Sequence, residues 1–150
     1  MLIIIGGALI NHASSGSDEQ RRRVSKAEYE QAVRTAYAGV REAFRATDVG
    51  PAVLAARVAA AQNELREASK SLDSLQPPKK VRDENLVLAA ALADYADDLE
   101  EVRQAAVAGN AQRIAAFSAR VSTNPAIKKI VEAVEEMTLK GYDLGRLAEG

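Results

Sequence analysis

Between Leu54 and Leu75, apolar side chains fall at Leu54, Val58, Ala61, Leu65, Ala68, Leu72 and Leu75. Alternating steps of four and three place them on one stripe of an α-helix, and such a stripe needs other helices to cover it. A second stripe follows at Leu88, Leu92, Tyr95, Leu99, Val102 and Ala106. Gln76-Pro77-Pro78 separates the two, because proline lacks an amide and disfavours helix in its predecessor. Two long amphipathic helices joined by a short turn are antiparallel neighbours.

The flanking pattern supplies the remaining rods. Ser25-Lys26-Ala27-Glu28 is a capping box with Val24 and Tyr29 at the staple positions, so a first helix opens at Ser25. Its inner face is Tyr29, Val33, Ala36, Tyr37, Val40 and Phe44, and it ends near Ala46. The spacing predicts a second helix over Pro51–Leu75 and a third over Lys79–Ala108, closed by Gly109. Asn110 caps a shorter helix with Ile114, Phe117 and Val121 inward. Ser122-Thr123-Asn124-Pro125 breaks it and starts another, with Ile127, Ile130, Val131, Val134 and Met137 inward as far as Gly141. Asparagine before proline at the first turn is a helix start. The expected fold is all-α: an up-and-down four-helix bundle over residues 24–147, its fourth rod broken into two helices at Asn124-Pro125.

Ahead of this domain, residues 1–10 are almost wholly apolar and residues 11–23 are small and polar. A bilayer-spanning helix needs about 20 apolar residues, and a signal peptide needs a basic start. Three readings of the apolar segment stand: the trailing part of a membrane anchor that begins upstream, a tail packed on the domain, or a degenerate signal sequence. The polar stretch reads as a linker. Within it, Arg21-Arg22-Arg23 fits a solvated linker or contact with anionic headgroups, and the positive-inside rule alone sets this flank in the cytoplasm.

Charge narrows the partners. Twenty basic and 21 acidic residues leave a net charge of −1, whereas nucleic-acid binding needs a concentrated basic face. With no cysteine, thiol catalysis, disulfides and thiolate metal sites drop out together. The one histidine, His12, lies in the linker, so the paired glutamate–histidine motifs of di-metal bundles cannot form. The serines lack a histidine partner, and Lys70 beside Ser71 and Ser74 comes without an oxyanion feature. No cofactor, metal or catalytic group is expected.

Four carboxylates remain as a candidate interaction face. Asp94, Asp97, Asp98 and Glu101 share one side of the third helix. They fit a divalent cation or a basic partner, or a solvated stripe paired with Arg34, Arg41 and Arg45 of a neighbouring helix. Lys79, Lys80 and Arg82 stand at the start of that helix, against the macrodipole. They are either an anion or acidic-partner site or a surface choice beside the turn.

Three stretches, Ser25-Lys26-Ala27-Glu28-Tyr29, Leu72-Asp73-Ser74-Leu75-Gln76-Pro77-Pro78 and Leu139-Lys140-Gly141-Tyr142, occur in an order that resembles a large group of uncharacterised actinobacterial cell-envelope proteins. These are helical-bundle proteins with a membrane anchor or lipoprotein signal and a polar linker. The resemblance covers about Val24 to Tyr142 and rests on a cap, a turn and a terminus. It implies an extracytoplasmic domain, tethered through the N-terminus or secreted, with no assigned activity; a protein partner, of unknown identity, is a separate expectation. Many members carry cysteines where Tyr37 and Tyr142 stand, so the resemblance implies that these two tyrosines face each other. The functional expectation is a non-enzymatic binding or structural module. The alternative is a bundle that holds a small apolar ligand between its helices.

Overall fold

The computed structural model describes residues 23–44 and 50–145, with side chains described except over 40–44. Its helices are α1 (Lys26–Phe44), α2 (Pro51–Ser74), α3 (Arg82–Val107), α4 (Ala111–Arg120) and α5 (Pro125–Leu139). Short 3₁₀ turns over Lys79–Val81 and Val121–Thr123 precede α3 and α5. The chain forms a four-rod helical bundle in which α4 and α5 together make the fourth rod, broken at residue 124. The apolar segment 1–10 and the linker up to residue 22 lie outside the described residues. So do His12, Arg21, Arg22 and the end of the first helix near Ala46.

Both long stripes are core. Val58, Ala61, Leu65, Ala68 and Leu72 are buried, with Leu54 and Leu75 half-buried at the ends, and all six residues of the α3 stripe are buried. Ala91, Ala96 and Ala105 off that stripe are buried as well. The cause is position: α3 packs along α2 on one side and along α4 and α5 on the other. Alanines on its second face let those helices approach closely. Helix α1 packs along α2.

The helix ends follow local chemistry. The Glu28 amide donates to Ser25 Oγ at 3.2 Å and the Ser25 amide donates to Glu28 Oε2 at 2.7 Å, which closes the capping box. Asn110 Oδ1 accepts from the Arg113 amide at 3.0 Å, and Asn124 Oδ1 accepts from the Ala126 and Ile127 amides. Helix α3 starts three residues later than Lys79, because the 3₁₀ turn after Pro78 drives Val81 into the core. On α5 the buried stripe is Ala126, Ile130, Ala133, Val134 and Met137. Val131, expected inward, is 47% exposed, since it lies one residue, or about 100°, off that stripe.

Gly141 redirects the chain at the end of α5. It sits at φ +87°, in the left-handed region that costs other residues about 1–2 kcal/mol. Its amide donates to Thr138 O, and the Tyr142 amide donates to Met137 O. This paired closure returns Tyr142 and Leu144 to the bundle, where both are buried. The tail is strapped to α1 by Arg34, whose Nε and Nη2 donate to Asp143 O at 3.1 and 2.6 Å. The Asp143 amide donates back to Glu30 Oε1 at 2.8 Å.

The α2 register has a direct test in urea melts. Leu65 is 1% exposed, so Leu65→Ala should destabilise the domain by about 2–5 kcal/mol. Asn63→Ala, on the exposed side of the same helix, should change stability by less than about 0.5 kcal/mol.

Candidate interaction face and the buried polar node

The four carboxylates of α3 do share one side, but each meets a different neighbour. Asp97 pairs with Arg66 of α2 at 3.0 Å, and Asp94 with Lys129 of α5 at 3.8 Å. Glu101 accepts from Arg120 Nη2 through both oxygens at 3.1 Å. Asp98 Oδ2 accepts from Asn124 Nδ2 at 2.8 Å, so the amide that caps α5 also ties the break in the fourth rod to α3. A cleft of about 270 Å³ lies between Asp98, Glu101, Arg120 and Asn124.

Of the arginines expected opposite this face, Arg34 is corrected. Arg34 serves the tail at Asp143, and Arg41 and Arg45 lie outside the described side chains. Among the described residues, no three acidic or histidine side chains converge as a metal site would require. Straight helical spacing holds the four carboxylates apart; a single cation faces each of Asp94, Asp97 and Glu101, and a neutral amide donates to Asp98. The face is a set of exposed interhelical contacts, each worth about 0–1 kcal/mol.

One of the basic residues at the start of α3, Lys80, finds a structural use. Lys80 Nζ donates at 2.8 Å to the carbonyl of Lys140, just past α5, which satisfies a helix-end acceptor. Lys140 Nζ in turn pairs with Glu84 Oε1 in the first turn of α3. Burial works against charge on Glu84, yet the Lys140 hydrogen bond, a backbone amide and the Lys140 charge outweigh it, and its carboxyl is held below the usual range. Its Oε2 is buried without a hydrogen-bond partner.

A further polar arrangement lies in the interior. Tyr29 Oη donates to Asn85 Oδ1 at 2.9 Å, and Asn85 Nδ2 donates to Leu72 O at 3.0 Å. Tyr29 is fully buried and Asn85 is 2% exposed. Met137 Sδ lies 3.6 Å from the same hydroxyl; the single proton goes to the better acceptor, and the soft sulfur packs against the oxygen. One residue from each of α1, α2, α3 and α5 thus meets at this point. The Tyr142 ring closes it edge-on, its centroid 5.8 Å from that of Tyr29. Lys26 Nζ stands 5.5 Å from the Tyr142 centroid on the outer side, a cation–π distance.

The ring that meets Tyr142 is therefore that of Tyr29, not Tyr37. Eight helical residues separate the two, about 12 Å of rise, and Gly141 delivers the tail at the near one. Burial pushes the Tyr37 and Tyr95 hydroxyls up, with Asp98 adding to the effect at Tyr95.

Asn85 and Gln62 are buried polar residues that the apolar stripes did not include. Both carried a signal. Asn85 lies three residues before Leu88 and continues the seam backwards, where a single buried asparagine fixes register. Gln62 lies between Val58 and Leu65 on the same face. Its Nε2 donates to Ala96 O at 2.9 Å and to Glu100 Oε2 at 3.3 Å. Hydrogen bonds from Arg103, Gln104 and Gln62 hold the Glu100 carboxyl down at about 2.

Comparison with protein-family models, curated proteins and solved structures finds no match to this chain.

Two measurements test the node. Tyr29→Phe leaves Asn85 Oδ1 buried without its donor and should cost about 1–3 kcal/mol. Burial, then the Tyr142 and Glu84 charges, raise the Tyr29 pKa well above its ordinary 10.0. Between that value and the folded-state pKa, the unfolded chain has lost a proton that the native chain keeps. Stability contributed by this group is complete below pH 10.0 and is lost as pH rises towards the folded value. In that range the Tyr29→Phe protein should lose stability less steeply than the parent, by about 1.4 kcal/mol per pH unit.

Proposed function

We propose that this chain is a non-enzymatic helical module of the cell envelope, extracytoplasmic and tethered or secreted, which binds or braces a protein partner. The observation that carries the reading is the use of its polar groups. Tyr29, Asn85 and Gln62 bond backbone carbonyls or one another, and the α3 carboxylates pair across helices. A catalytic group needs a reactive partner and access to substrate; these groups hold rods in register instead. The three stretches behind the cell-envelope resemblance also have structural roles. Ser25 and Glu28 form the cap, Val24 donates its amide to Gln76 O at 3.0 Å beside the Pro-Pro turn, and Gly141-Tyr142 closes the bundle. Among the described residues, no helix is long and apolar enough to cross a membrane; on this reading the tether is the apolar N-terminal segment. The clefts described between helices open to solvent, which favours a macromolecular partner over an apolar ligand sealed in the core.

Location is tested by adding protease to intact cells of the source organism that express the full chain with an epitope in the domain. The reading predicts recovery with the envelope or medium and loss of the epitope to external protease. A protected epitope that fractionates with cytosolic markers would refute the extracytoplasmic placement.

A further inference from the structure

We infer that the open groove between α1 and α2 is the docking surface for an amphipathic helix of a partner protein, with small or aliphatic side chains along one stripe and lysine or arginine on its flanks. This rests on the reading of the chain as a binding module and names its surface and partner class. The groove encloses about 730 Å³, and Ala32, Ala36 and Ala68 form its apolar floor. Alanine floors let helix axes approach to about 8 Å, and the span from Ala27 to Ala36 accepts roughly two and a half turns of helix. Partners of this kind lay an apolar face into a groove and are read through charge at its edges.

The rim charge is of one sign. Glu28 from α1, which also closes the capping box, and Glu64 and Glu67 from α2 line the groove, and among the described residues no cation does. Lys70 pairs with Glu67 at 3.0 Å, but both side chains are about 70% exposed, so this pair is worth little and exchanges readily. Glu64 forms no ion pair or hydrogen bond with a described residue. Its Oε2 lies 2.5 Å from the point a Cβ on residue 39 would occupy, so Gly39 is what lets this carboxylate rest against the α1 backbone at the groove. The α3 carboxylates, by contrast, already have partners from neighbouring helices. A flanking cation on a docked helix would complete Glu64 without breaking an interhelical contact.

The test uses the full chain and a synthetic labelled helix of about 15 residues, with a leucine–alanine stripe and lysine flanks, read by fluorescence anisotropy. Its twin carries glutamate in place of lysine. The lysine helix should bind at least about tenfold more tightly than its twin, and Glu64→Lys with Glu67→Lys should weaken it by at least about tenfold. Thr35→Trp, at an exposed position on the groove wall, should block binding while circular dichroism stays unchanged. Asp94→Asn with Asp97→Asn on α3 should leave affinity within about twofold.

Equal binding of the twins, or loss only on the α3 changes, overturns this surface and leaves the module reading to the protease experiment. A dimer in sedimentation that Glu64→Lys dissolves would give the groove to a second copy and overturn the partner assignment. A benzophenone side chain at position 35 that cross-links to residues 1–22 of its own chain would do the same in favour of that segment.

Discussion

The hydrogen bond from Tyr29 to Asn85 is the contact on which the arrangement of the rods depends. Hydrophobic stripes attract helices without fixing their relative heights, because apolar burial is non-directional. A buried hydroxyl and amide are directional, and leaving either unmatched is costly. With Asn85 donating to Leu72 O and Tyr29 donating to Asn85, α1, α2 and α3 are held at one height relative to one another. Met137 and Tyr142 then seat the end of the fourth rod on the same point. Away from this point, Gln62 on the Ala96 carbonyl and Asn124 on Asp98 fix α2 and the broken rod against α3.

The sequence was most legible where one residue type answers one physical demand. The heptad stripes of α2 and α3, the Ser25–Glu28 box, the Asn110 and Asn124 caps and the turns at Gly109 and Gly141 stand as the pattern required. It was least legible where the answer depends on which rods meet. Asn85 continues the Leu88–Leu92 seam in spacing but not in character, so an apolar filter passed over it. The partner of Tyr142 depended on where Gly141 aims the chain. Helical spacing brought Asp94, Asp97, Asp98 and Glu101 to one side, but their pairing with Arg66, Lys129 and Arg120, and the Asn124 hydrogen bond to Asp98, became visible only in the assembled bundle.

A division of labour follows for the charged residues. Those on α3 and at the helix ends, including Lys80, Lys140 and Glu84, tie elements together and close unsatisfied termini. Along the α1–α2 groove, Glu28 closes the α1 cap and Glu67 pairs with Lys70, while Glu64 rests against the α1 backbone at Gly39.

The most direct measurement of the central claim is a double-mutant cycle between Tyr29→Phe and Asn85→Ala, read as unfolding free energy in urea. If the two side chains act as one directional unit across α1 and α3, the cycle gives a coupling energy of roughly 0.5–3 kcal/mol. Additivity within about 0.3 kcal/mol would contradict it, and would show the rods to be aligned by apolar packing alone.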